Sequence, residues 1–331
     1  MIFGVFIVKE RAEKGYKTDS ENIPKQKAEK TADILSSQAF ILSSEFEKRL
    51  THLSELSSYI SNTVNTTCET DDPNKYLDTL FLELNSYAST FNFHSELLPE
   101  NKKTVLSALN SLYDFDRAVL AKSIARRWEE KHGESMNILQ LLNGSEFLSG
   151  RISYVKSRYS DKAFDVFESL VDESKVLYAK NFQSVCEDII HGFAQYGILP
   201  LSDMQGAIET VNRLLSAYEL KICAVCDITT QEDSAARFAL VSDKICVNLE
   251  EENRYFSFSF NSSEPYKMQS ALYTSELCGL SLYDMKVTPS YSGSANYRLT
   301  FRENSGDLIA LLVYLKLFLP QFVINGIYFE I

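Results

Sequence analysis

The chain has 331 residues, 45% of them hydrophobic and 12% aromatic, long enough for two or three domains and apolar enough to fill their cores. Its formal charge of −12 argues against a nucleic-acid backbone or an anionic membrane as the main partner, since both repel an acidic surface. No apolar run approaches the ~20 residues a membrane span requires.

Met1 to Val8 is apolar but lacks the basic start and cleavage site of a secretory signal. It reads as a stray strand, and a cytoplasmic address is expected. Residues 10–29 are rich in Lys and Glu and complete a flexible lead-in over 1–29. From Thr31 apolar residues recur every three to four positions (Leu35, Ala39, Leu42, Phe46, Leu50, Leu53, Ile60, Val64), which predicts a long helix. A second helix is predicted over about 75–91 and a third over about 102–131, stopped by Gly133. Three narrow apolar stripes predict a small antiparallel bundle over 30–145, or a surface that pairs with a second copy.

From Arg151 the texture changes to alternating strands and helices. Strands are predicted at 151–155, 176–179, 197–201, 220–228 and 237–241, with helices at 160–169, 181–196 and 205–218. That alternation predicts a parallel α/β sheet over 146–250. In Tyr255–Phe260, Phe256, Phe258 and Phe260 alternate with Ser257 and Ser259, the mark of a strand with one buried and one wet face. A helix capped by Ser262 or Ser263, strands at 280–289 and 297–302, a helix started by Asn304 or Ser305, and a strand at 324–331 complete a βαββαβ order. This is the split βαβ order of a ferredoxin-like domain over 251–331.

The six cysteines outline no disulfide framework. Cys223 and Cys226 have CxxC spacing but lie in an apolar strand, where positions i and i+3 face opposite sides and the sulfurs diverge. The four histidines show no ligand spacing, so neither a metal nor a cofactor is expected.

Several stretches taken in order resemble the bacterial prephenate dehydratases, which convert prephenate to phenylpyruvate and join an α/β catalytic domain to a C-terminal ACT domain of βαββαβ order. Tyr154-Val-Lys-Ser-Arg-Tyr-Ser160 stands where the family has its opening strand and glycine-rich turn. Asn181 to Gly192 resembles the helix that follows, and Tyr196-Gly-Ile-Leu-Pro-Leu-Ser-Asp203 resembles the family's DYGVLPIENS segment. Leu220 to Cys226 resembles the next strand, and Ala236-Arg-Phe238 falls at the TRF motif. In the last part Leu272, Gly279-Leu-Ser-Leu282 and Pro289-Ser290 keep the register, so the resemblance covers about 151–331. It implies Ser202, Asp203 and Arg237 as catalytic-site positions. It also implies an amino-acid site made by Tyr266-Lys-Met-Gln269 and by Lys286 and Thr288.

The departures concern chemistry. Ala236 stands where the motif Thr would supply a hydroxyl, and a methyl group donates no proton. Asp203 would set an anion beside a dicarboxylate substrate. Lys156, Ser157 and Arg158 replace the glycines that let backbone N–H groups approach an anion. Only about ten residues separate Cys226 from Ala236, where the family inserts a second lobe. Tyr266 replaces a glycine that leaves room for the ligand, and Lys286 replaces an acid that would meet its ammonium group. The helical first third invites comparison with chorismate mutase domains, but Lys48 and Arg49 are adjacent and point apart on a helix.

The fold expected is therefore α/β in three parts: an N-terminal helical bundle, a truncated single-lobe parallel α/β remnant and a C-terminal ferredoxin-like, ACT-like domain. The leading expectation is a non-catalytic protein of phenylalanine metabolism, a homodimer with a regulatory or assembly role. Its ligand would be a small aromatic amino acid or prephenate-like molecule. Two alternatives stay open. One is an active dehydratase forming phenylpyruvate, water and CO2, with Arg237 gripping a carboxylate by its bidentate fork. The other is an interaction scaffold with no small ligand.

Overall fold

The computed structural model describes residues 70–94 and 114–331, apart from 204–205, 230–234, 249–250, 252, 290–292 and 304–305, together with Leu112 and scattered positions between 48 and 62. The predicted lead-in, most of the first helix and the start of the third lie outside the described residues. The chain divides into two compact units, 1–56 and 57–331, and the account below concerns the second.

Ten strands form one continuous mixed sheet. In chain order they are β1 (Arg151–Val155), β2 (Lys175–Ala179), β3 (Tyr196–Asp203), β4 (Gly206–Ala207), β5 (Lys221–Thr229), β6 (Ala235–Ser242), β7 (Arg254–Ser262), β8 (Leu280–Pro289), β9 (Ala295–Glu303) and β10 (Val323–Glu330). Their spatial order is β2-β1-β3-β6-β5-β10-β7-β9-β8, with β4 folded back on β3. The expectation of a parallel sheet holds for β1 with β2 and β3, and for β10 with β5. It fails at β6, which runs antiparallel to both β3 and β5. The physical reason is the short link from β5 to β6. Thr229 pairs with Ala235 across five residues, and so short a link makes a hairpin, not a crossover.

Helices cover both faces. Helix α4 (Arg158–Phe167) lies on one face, with Phe164 and Phe167 packed among Ile152, Ile198, Phe238 and Leu240. Helices α5 (Phe182–Ile190) and α6 (Glu209–Ala217) lie on the other, with Val185, Ile189, Val211 and Leu215 packed among Leu199, Val225, Ala239 and Val241. Helix α5 sits close because β3 carries Gly197, where a Cβ would come within 2.6 Å of Val185 Cγ1. The predicted helix start at Gln205 gives way to β4, since Gly206 and Ala207 pair with Asp203 and Ser202.

The C-terminal strands carry helices α7 (Pro265–Leu277) and α8 (Leu308–Phe318), and α8 packs against α7, α2 (Asp114–His132) and α1 (Pro73–His94). Being enclosed explains why LIALLVYLKLF is apolar on every side instead of along one stripe. Each such leucine, buried instead of exposed, stabilises the fold by roughly 1.5–3 kcal/mol. The cap of α8 is Asp307, which accepts from Ala310 N at 2.8 Å. Helix α7 begins after Glu264, which makes no side-chain cap, with Pro265 in its first turn. Neither cap is a residue expected from the sequence. The short helix α3 (Ile138–Leu142), capped by Asn137, escapes the periodicity because it spans little more than one turn.

Strand β7 overturns the expectation of a wet face. Phe256, Phe258 and Phe260 are buried as foreseen, but Ser257 and Ser259 are buried too. Tyr255, on their face, packs in the cluster formed by α6, so alternation turns both serines toward that helix. Their hydroxyls are satisfied there: Thr300 Oγ1 donates to Ser257 Oγ at 3.0 Å, and Ser259 Oγ to Asn325 Oδ1 at 3.2 Å.

The cysteine geometry is also corrected. A bulge between Ile222 and Ala224 inserts Cys223 into β5 as an extra residue, so Cys223 and Cys226 enter the same core cluster. Burial pushes the Cys226 thiol up to about 12, and Cys223 is raised by donating to Cys246 and by burial. Neither is poised as a thiolate nucleophile. Among the described residues no cluster of three His, Cys, Asp or Glu could hold a metal ion, and no helix is long and apolar enough to cross a membrane.

Candidate functional site

Two places on the sheet merit description, and both lie on the face covered by α5 and α6. The first is the pairing of β3 and β6, where Ser202 stands opposite Arg237 and Asp203 pairs with Gly206 at the strand's end. The three catalytic positions expected from the resemblance are therefore brought together. A neighbour 93 positions away engages one of them: the Arg237 guanidinium donates to Glu330 on β10. Arg237 also lies 3.9 Å from Asp227, its cross-strand partner on β5. The fork is thus bonded to one protein carboxylate, with a second at ion-pair distance. Ala236, next to it, is buried and offers only its methyl group.

The opening turn after β1 is filled by its own side chains. Ser157 caps α4 by accepting from Ser160 N at 3.1 Å, and Ser160 Oγ donates to Val155 O at 2.8 Å. Lys156 Nζ lies 4.8 Å above the Tyr178 ring. A serine oxygen thus occupies a first-turn N–H that an anion would otherwise use.

The second place is a cavity of about 520 Å³ between α6 and the serine face of the C-terminal strands. Lys286 on β8, Arg298 on β9 and Ser259 on β7 form one cross-strand row along its floor. Arg298 donates to Ser216 Oγ of α6 at 3.1 Å and makes no ion pair among the described residues. Lys286 reaches Glu209 at the start of α6, at 3.0 Å. The Lys286 ammonium holds the Glu209 carboxyl below the usual carboxylate range. Burial lowers Arg298 and Lys221, with nearby carboxylates opposing in both cases.

Asn325 also lines the cavity. A bulge between Ile324 and Gly326 turns its side chain onto the serine face. Its Nδ2 is buried without a hydrogen-bond partner, a position of some cost. Gly326 completes the bulge, for a Cβ there would lie 2.2 Å from Ile222 O on β5.

Of the residues expected to bind ligand, Lys286 and Thr288 line this cavity. Tyr266, Lys267, Met268 and Gln269 do not, because they form the first turn of α7, and Tyr266 is half exposed. Lys267 pairs with Glu264 at 2.8 Å within that turn. Arg298, Ser216, Lys221 and Asn325 were not singled out by the sequence. The one available signal was Arg298 inside the alternating run Tyr297–Phe301, an arginine opposite a face of aromatics.

No family model and no curated protein matches the chain. Similar solved structures include prephenate dehydratase from Streptococcus mutans, at 18% identity and a TM-score of 0.45, covering 55% of this chain and 99% of that one. A structure described as GqqA, a novel type of quorum quenching acylases, matches at 15% identity and 0.43, covering 54% and 94%. Prephenate dehydratase from Arthrobacter aurescens, in complex with L-Phe, matches at 10% identity and 0.43, covering 54% and 89%. Likenesses of this size assign neither activity nor ligand.

Proposed function

We propose that this chain is a prephenate dehydratase-like protein that has lost dehydration chemistry and acts as a regulatory or assembly component in phenylalanine metabolism. The observation that carries the reading is Arg237 held between Glu330 and Asp227, beside Ala236. The carboxylate-gripping group is neutralised internally and the proton-donating hydroxyl is missing. The direct β5–β6 hairpin supports the same reading, because it leaves no room between those strands for a second lobe to close a cleft and exclude water.

The regulatory role is assigned to the C-terminal βαββαβ unit, which we take as ACT-like. We further propose a homodimer formed along β8, an edge strand of ten residues exposed over most of its length, with Leu282, Tyr283, Met285 and Val287 uncovered. Sedimentation of the full chain tests this, and a monomer at all concentrations overturns it.

The activity test is incubation of purified protein with prephenate. No phenylpyruvate above a heat-killed control is expected. Turnover that disappears in Arg237→Ala would instead establish the active-enzyme alternative.

A further inference from the structure

We infer that the cavity between α6 and the serine face binds a small organic dianion, a dicarboxylate or a phosphate monoester, with Arg298 as its anchor. The first ground is charge. The chain as a whole carries −12, yet this concavity is lined by four cations, Arg213, Lys221, Lys286 and Arg298, against two carboxylates, Glu209 and Glu219. A local excess of two positive charges on so acidic a molecule concentrates small anions there and repels cations.

The second ground is the unmet demand of partly buried groups. Arg298 has five N–H donors, and the partner it reaches is the neutral Ser216 hydroxyl. Asp284 and Glu209 offset part of the desolvation of this guanidinium without forming an ion pair with it, and an arriving anion adds to what they supply. Its planar fork suits two oxygens of a carboxylate or phosphate. The unpartnered Asn325 Nδ2 adds a further donor on the cavity wall.

The third ground is size and lining. A volume of about 520 Å³ suits a small metabolite. Hydroxyl and amide side chains such as Thr288, Asn212 and Asn296 stand beside the cations, with Leu215, Leu220 and Val323 completing the wall. The Lys286–Glu209 pair crosses the cavity from β8 to α6 and holds one cation in reserve. Binding here does not depend on whether the chain turns over prephenate.

Titration calorimetry of the full chain at low ionic strength tests the site with three probes: succinate, inorganic phosphate and uncharged succinamide. Binding of succinate or phosphate, weakened by added salt, with none of succinamide, is expected. Tighter succinate points to a dicarboxylate, and tighter phosphate to a phosphate ester. Arg298→Met should weaken the bound probe at least tenfold with the circular dichroism spectrum unchanged. Glu209→Gln releases Lys286 and should tighten binding severalfold, an effect no purely structural role of Glu209 produces. Should Arg298→Met fail to fold, Lys221→Met and Glu209→Gln decide, weakening and tightening respectively. The inference is overturned if neither anion binds, if succinamide binds as well as succinate, or if Glu209→Gln weakens the probe.

Discussion

Arg237 and Arg298 sit on the same face of one sheet, yet their surroundings are opposite. Arg237 meets Glu330 and Asp227, carboxylates supplied by the two strands that follow β6 outward in the sheet. Arg298 meets a serine hydroxyl, and its charge is left to the cavity. An arginine with two acidic partners is a structural clasp. One that bonds a neutral hydroxyl, with its nearest acids beyond ion-pair distance, keeps donors for the cavity. The comparison teaches that an arginine's role is set by what the tertiary fold places around it, not by the motif that carries it.

The largest expected effect comes from breaking the junction on which the contrast depends. Strand β10 brings Glu330 to Arg237 and Asn325 to the cavity, and it lies against β5 because Gly326 has no side chain. Gly326→Ala would put a methyl group 2.2 Å from Ile222 O, so it should cost about 3 kcal/mol or more, read by urea denaturation. A loss under 1 kcal/mol would mean the strands part easily and the clasp is incidental.

Next comes the clasp. Arg237→Ala leaves two carboxylates on neighbouring strands without their shared cation, at an expected cost of about 1–2 kcal/mol after allowance for partial exposure. Arg298→Met should behave differently. It replaces a partly desolvated charge that makes no ion pair among the described residues with an apolar stem of similar length, so stability should stay within about 1 kcal/mol of the parent. Equal destabilisation by the two substitutions would erase the contrast drawn between these sites.

The smallest effect is at Glu209. Its carboxyl is depressed in the folded state, so the contribution is present above the ordinary glutamate value of about 4.3. It is lost as pH falls through the lowered value. Lys286→Met should therefore separate from the parent only above that range, and the two denaturation curves should merge as the pH drops. Curves that diverge most at the acid end would contradict this sign. Above pH 5 the difference should be near the limit of detection, since the pair is exposed.

Much of the element order was legible. Strands β1 and β8 coincide with the stretches expected at 151–155 and 280–289, because alternation and bounding turns are written locally. Helix α8 was legible from its leucines, though its all-round burial was not. The candidate site was legible only in fragments. Lys286 and Thr288 came from a resemblance that paired them with Tyr266 to Gln269, which the fold places on the first turn of α7 and not in the cavity. The serine face of β7 reads as wet from the sequence, because nothing in Tyr255–Phe260 announces that α6 arrives to cover it.

The sequence by itself determined most of the segments that are strands and helices, since hydrophobic period acts over a few residues. It also displayed Ala236 and Asp203 as departures from the motifs it resembles. Only the tertiary structure decided that β10 joins β5 and that ten strands form one sheet. Only it turned Cys223 and Asn325 inward by bulges, clasped Arg237 with a residue 93 positions away, and set Arg298 against Ser216 across 82. Those outcomes depend on strand register and sheet order. Both are settled by burial and charge pairing between distant segments, for which a local pattern carries no record.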